Sequence, residues 1–166
     1  MKILAITNQK GGVGKTTTCV NLAASLASLG KRVLLVDLDP QGNASTGSGI
    51  DKAHLKHSIY HVLIGEKTLK DVIVKSEKGG FDIAPSNREL AGAEVELVNE
   101  LARETRLKVA IAKLGDAYDV VLLDCPPALN LVTVNALTAA SAVMIPMQCE
   151  YYALEGLSDL VNTIKK

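Results

Sequence analysis

The sequence predicts an α/β fold: a mostly parallel sheet with helices on both faces. Two observations predict it. Apolar runs of strand length recur at residues 3–7, 33–36, 81–84, 120–123 and 143–146, and longer stretches of helical character separate them. The runs at 120–123 and 143–146 are almost purely apolar, as strands become when helices cover both faces of a sheet.

Each element has its own signal. Residues 3–7 form the first strand. Residues 16–29 place Val20, Leu22, Ala23, Leu26 and Ala27 near helical spacing and stop at Gly30. The second strand follows at 33–36. Residues 41–48 are rich in Gly, Asn, Ser and Thr and read as a loop, and 75–80 reads as a turn. Residues 90–114 repeat Leu, Val, Ala and Ile at helical intervals. Acidic Glu94 and Glu96 come early and basic Arg106, Lys108 and Lys113 late, which complements a helix dipole over a single long helix. Residues 130–140 and 154–165 predict two more helices. With no repeat, low-complexity tract or linker in view, residues 1–166 read as one domain.

Composition narrows the function classes. Lysine plus arginine equals aspartate plus glutamate at 18 each, so a strongly basic nucleic-acid binder is not indicated, although a local patch remains open. Aromatic residues are 3% and tryptophan is absent, which leaves few stacking platforms for bases. No apolar run approaches the length of a membrane span, and Met1 leads straight into a strand without a signal-peptide pattern. Cys19, Cys125 and Cys149 match neither a disulfide framework nor a metal pair, so a reducing cytoplasm fits. Cys19 and Cys125 read as buried, although Cys125 stands beside an acidic candidate. His54, His57 and His61 could share a helix face, where a solvated face is the simpler reading than a metal site.

The segment NQKGGVGKTT, residues 8–17, lies between the first strand and the first helix. It falls one residue short of the phosphate-loop pattern G-x-x-x-x-G-K-[ST], because Gln9 stands at the first glycine, and it carries an additional Lys10. The physics still suits a phosphate. Gly11, Gly12 and Gly14 let backbone N–H groups turn inward at a helix N-terminus. Lys15 brings a charge to the β- and γ-phosphates, and Thr16 offers a hydroxyl to Mg²⁺. A magnesium site also needs carboxylates. Asp37 and Asp39 end the second strand, and Asp124 ends the strand at 120–123. In an open α/β sheet the carboxyl ends of the strands border one crevice, so these acids and the loop are expected to converge.

KGGVGKTT at 10–17, VDLDPQGNAS at 36–45, LLDCPP at 122–127 and IPMQCEYYALEGL at 145–157 together resemble the ParA/MinD/Soj group of deviant Walker A ATPases, with the ParA/Soj partition branch nearest. The resemblance runs along the whole chain. It implies a P-loop NTPase-like fold that binds and hydrolyses Mg·ATP as a dimerisation switch in chromosome or plasmid partition. Lys10 is then the signature lysine, reaching the nucleotide of the other subunit. The resemblance implies that the loop from Lys10 through Val13 to Thr17 cradles the phosphates, with Thr17 on the α-phosphate. It implies that Thr16, Asp37 and Asp124 hold the metal, and that Asp39 orients the attacking water. The segment from Pro126 onward would sense nucleotide state. Implied partners are a second copy of the chain, a ParB-like centromere-binding protein and non-specific DNA. The implied location is the cytoplasm, at the nucleoid where DNA binding is retained.

The chain departs from the family in length. It stops short of the C-terminal third that in the family supplies adenine contacts and basic DNA-binding residues, and it reads either as a fragment or as a naturally shortened product. Asn130 replaces an expected glycine and Ser141 an expected aspartate. Three other readings share the loop. A nucleotide-binding fragment without productive turnover is one. A MinD-like membrane ATPase needs a basic amphipathic C-terminal helix that the chain does not show. An iron-protein-like reductase needs a cluster cysteine several residues past Asp124, where Leu131 stands instead.

Overall fold

In the computed structural model, the residues described are 1–148 together with Val161 and Asn162. Six strands form one sheet: β1 (Lys2–Ile6), β2 (Val33–Asp37), β3 (Val74–Ser76), β4 (Phe81–Ala84), β5 (Val120–Asp124) and β6 (Ala142–Met144). Their spatial order is β3-β4-β2-β5-β1-β6, and every pairing is parallel except β3 with β4. All five residues of β2 are buried, which is why its sequence is apolar without alternation. The sheet and its flanking helices are those of a P-loop NTPase-like fold.

Helices cover both faces. On one face α1 (Lys15–Ser28) lies with α2 (Asn43–Gly47), and Cys19, Ala23 and Ala44 pack on Ile6, Leu35 and Leu122. The other face carries α3 (Ile59–Leu63), α4 (Leu69–Val72), α5 (Ala93–Glu96), α6 (Arg106–Ala112) and α7 (Leu131–Ala139) over Leu34, Val36, Val121 and Leu123. Successive strand residues therefore feed opposite layers, as the pleat requires.

The structure departs from the expected elements in four places. The single helix expected over 90–114 is broken into 3₁₀ turns, α5 and α6, with Ala102 at φ 54 between them. The cause lies in α7. The buried amide of Asn135 accepts from Leu107 N at 3.1 Å and donates to Arg103 O at 2.8 Å, which satisfies backbone groups at a fresh helix start. The stretch 41–48, expected as a loop, contains α2. Position 75 opens no turn, because Lys75 belongs to the short edge strand β3 and the turn occupies 77–80. The three histidines do not share a helix. His54 ends a 3₁₀ turn beside Asp51, His57 precedes α3, and His61 Nδ1 accepts from Ser58 N at 3.2 Å as part of a capping box. The helix expected at 154–165 lies outside the described residues apart from Val161 and Asn162, which are helical; Cys149 also lies outside them.

The two family departures have local roles. Asn130 caps α7, its Oδ1 accepting from Thr133 N at 3.0 Å. The Ser141 hydroxyl donates to Ile3 O at 2.9 Å and accepts from Ile3 N at 3.1 Å, tying the entry of β6 to β1. Asn130→Ala is expected to cost about 1 kcal/mol of stability, readable as a lowered denaturant midpoint at unchanged slope.

Candidate functional site

Strand β1 runs out at Ile6, and the chain then turns back over the sheet edge before α1 begins. Asn8 fixes that turn. Its amide donates to Pro146 O at 2.8 Å, and its Oδ1 accepts from Lys10 N at 3.0 Å. Gly12 and Gly14 take φ of 73 and 87, a conformation that side chains with a Cβ rarely adopt. A Cβ at either would meet no atom within 4 Å, so conformation and not crowding demands glycine here. Gly14 is the N-cap of α1, and no side chain caps it. The first-turn N–H groups of a 14-residue helix therefore face outward with the positive end of its dipole.

Lys15 folds back across this loop and donates through Nζ to Lys10 O at 3.1 Å. Its side chain is buried, and burial lowers its pKa from the usual lysine value against the opposing pull of Asp124 and Asp39. Val13 is buried beneath the loop, whereas Lys10, Gly11 and Thr17 are exposed.

The acids converge as the strand order requires. Asp37 and Asp124 are register partners on β2 and β5, and Asp124 is also the partner of Ile6 on β1. Thr16 Oγ1 donates to Asp124 Oδ2 at 2.8 Å, which joins the head of α1 to the end of β5. The other oxygen, Asp124 Oδ1, is buried and has no hydrogen-bond partner among the described residues. Asp37 Oδ2 accepts from both Ser45 N and Ser45 Oγ at 2.7 Å, and its Oδ1 accepts from Asp39 N at 3.2 Å. Asp39 is half-buried and accepts from Gln41 N at 2.9 Å. Burial pushes the Asp37 carboxyl up to about 6. Burial, and next the charge of Asp37, push Asp124 up to about 7.

These buried acids fit a divalent cation. An orphaned buried oxygen beside a hydroxyl, with a second carboxylate on the next strand, is a hard-donor set of the kind Mg²⁺ takes through a few protein oxygens and water. The cysteines do not compete for that role. Cys19 and Cys125 are buried, and burial raises both thiols, Cys125 to about 12.

Ser45 is the site residue to which the sequence reading gave no task. It sits fully buried in α2, and its hydroxyl also accepts from Ser86 N at 2.9 Å. Gly42 makes this possible. It precedes α2 at φ 61, and a Cβ there would lie 2.6 Å from Lys52 Cδ and 2.7 Å from Ser86 O. The sequence signal was the position of Ser45 at the end of VDLDPQGNAS. Ser45→Ala strands the Ser86 N–H and takes one of two donors from Asp37 Oδ2. The expected loss is about 1–3 kcal/mol, measured by denaturant unfolding.

The carboxylates also set a pH dependence. Their folded pKa values lie above the unfolded value of 3.8, so their contribution to stability is full below about pH 4 and is lost as pH rises through 6 to 7. The metal-free chain is expected to lose melting temperature across that window. Magnesium should offset the loss above it, because cation binding favours the deprotonated acids. Parallel melting curves with MgCl₂ and with EDTA check this.

A backbone nest at a helix start, a lysine closed over it and a hydroxyl tied to a strand-end carboxylate define the P-loop class of nucleotide-binding proteins. A family model described as "AAA domain" matches residues 1–166. The sporulation initiation inhibitor protein Soj of Bacillus subtilis is 56% identical over 164 residues, covering 99% of this chain and 65% of Soj. An uncharacterized protein of Pseudomonas putida is 61% identical over 165 residues, covering 99% of this chain and 63% of its own length. Among solved structures, cobyrinic acid a,c-diamide synthase of Mycobacterium smegmatis with bound ATP analog and magnesium superposes with a TM-score of 0.96 at 45% identity, over 99% of this chain and 67% of that one. The chain belongs to the ParA/Soj/MinD family of P-loop partition ATPases. It spans 63% of the length of its Pseudomonas putida relative. Among the described residues no helix is long and apolar enough to cross a membrane.

Proposed function

We propose that this chain binds and hydrolyses Mg·ATP as a dimerising switch in DNA partition. The observation that carries the reading is the Thr16–Asp124 hydrogen bond at the head of the glycine loop, with Asp124 Oδ1 left over beside it. The loop N–H groups from Gly11 to Thr17 and the Lys15 ammonium receive the phosphates. Thr16, Asp37 and Asp124 would hold the magnesium, and Ser45 fixes the Asp37 carboxylate through two hydrogen bonds. The cation, when bound, neutralises charge on the β- and γ-phosphate oxygens. Asp39 accepts a hydrogen bond from the attacking water and orients it in line with the γ-phosphate. Lys10, exposed at the front of the loop, stabilises the transferring phosphoryl group held by a second copy of the chain.

The family supports a self-dimer, a ParB-like partner and non-specific DNA as what the switch works with. The test is sedimentation of the chain with ATP, with ADP and with no nucleotide, with and without DNA, alongside phosphate release. A faster-sedimenting species that needs ATP, together with phosphate release, supports the reading. ATP uptake without phosphate release or a second species reduces the role to nucleotide binding. No ATP uptake removes it.

A further inference from the structure

We propose that the cleft between α6 and the α3–α4 connection is a docking groove for an acidic amphipathic helix of a partner protein. The cleft encloses about 560 Å³ and shares no lining residue with the phosphate loop or the strand-end acids. Its apolar wall is unusually open. Leu101 is 92% exposed and Val109 51% exposed. Single exposed apolar residues are ordinary; here Leu101 and Val109 stand on one cleft together with basic side chains.

The backbone holds Leu101 there at a cost. Ala102, beside it in the same wall, takes φ 54 without being glycine. Left-handed alanine costs about 1–2 kcal/mol, and strain of this kind gathers at functional surfaces. The Ala102 carbonyl is pinned by Thr105 Oγ1 at 2.9 Å, so the presentation is fixed.

Charge selects the occupant. Lys67, Lys70, Arg106 and Lys113 line the cleft against Glu66 and Asp71. Asp71 is turned into its own helix cap, accepting from Thr68 N at 2.8 Å and Thr68 Oγ1 at 2.7 Å. Arg106 reaches Leu63 O at 3.1 Å and the Glu100 carboxylate. Lys70 and Lys113 are exposed and have no ion-pair partner among the described residues. A net positive rim around an apolar wall, on a chain with zero net charge, complements acidic residues flanking an apolar stripe. Among the described residues no strand lines the cleft, so an added β-strand finds no edge there to pair with. Helix-in-groove recognition is the mode that fits.

The test uses a fluorescein-labelled amphipathic peptide of leucine and glutamate, its leucine–lysine counterpart, and anionic phosphatidylserine vesicles. Fluorescence anisotropy with the 166-residue chain should show saturable binding of the glutamate peptide alone, competed by the unlabelled peptide. The surface pair Lys70→Glu with Lys113→Glu should weaken it at least about tenfold, the size of one or two rim charges in a docked complex. Leu101→Ser should weaken it independently, with unchanged circular dichroism confirming that each variant folds. Equal binding of the glutamate peptide by the charge-reversed chain overturns the proposal. So does preference for the lysine peptide, or pelleting with vesicles in place of peptide binding. Nucleotide binding is untouched by these variants, so the groove can fail while the ATPase reading stands.

Discussion

Lys10→Ala is expected to leave ATP affinity within about threefold of the parent chain while phosphate release falls by about 10³-fold, the scale of a catalytic cation delivered in trans. The split follows from placement. Lys10 is exposed and lies at the front of the loop, whereas the lysine that closes over the loop is Lys15. The Lys10 backbone carbonyl that receives Lys15 survives the substitution, so the cradle keeps its shape. A side chain working on another subunit's nucleotide contributes to the transition state and little to binding in its own subunit. Stopped-time phosphate assays beside equilibrium ATP binding give both numbers. Equal losses in both would place Lys10 in its own subunit's binding site and remove the dimer from the mechanism.

The second large effect is on binding itself. Lys15→Ala should weaken Mg·ATP binding by about 10²- to 10³-fold, the range for removing a preorganised donor from a charged oxygen. The ammonium is buried and is pulled on by the charges of Asp124 and Asp39, so its loss also leaves those carboxylates without its compensating charge. Lys15→Ala therefore carries a stability signature beside its effect on binding. The metal-free variant should melt lower than the parent at pH 8, where Asp124 is charged, and the gap should narrow at pH 5, where it is protonated. Calorimetric titration with Mg·ATP and paired melts read both effects. Lys15→Ala binding ATP as the parent does would leave the loop without its phosphate-binding cation.

Much of the site could be read in the sequence because its pieces are short and local. Three glycines, a lysine and a threonine at fixed offsets report one backbone path, and the structure realises it at φ 73 and 87. The convergence of Asp37 and Asp124 followed from strand order logic, and the parallel register places them side by side. What the sequence hid depends on distant contacts. Residues 43–47 have loop composition, yet they form α2 because the buried Asp37 carboxylate takes both donors of Ser45. Residues 90–114 have the composition of one long helix, yet Asn135 from α7 satisfies backbone groups in its middle and starts a second helix there. In both places a buried polar side chain overrode local propensity, because leaving it unpaired costs more than the propensity provides. The edge strand β3 escaped for a simpler reason. Three residues with two exposed give no pattern to detect.

The central claim is that the loop and the strand-end acids form one magnesium-dependent triphosphate site. Titration calorimetry of the chain with ATP, first with magnesium and then with EDTA, tests it most directly. Saturable uptake with magnesium, weakened at least tenfold by EDTA and again by Asp124→Asn, is the predicted result. Uptake that is indifferent to both magnesium and Asp124, or no uptake at all, would contradict it.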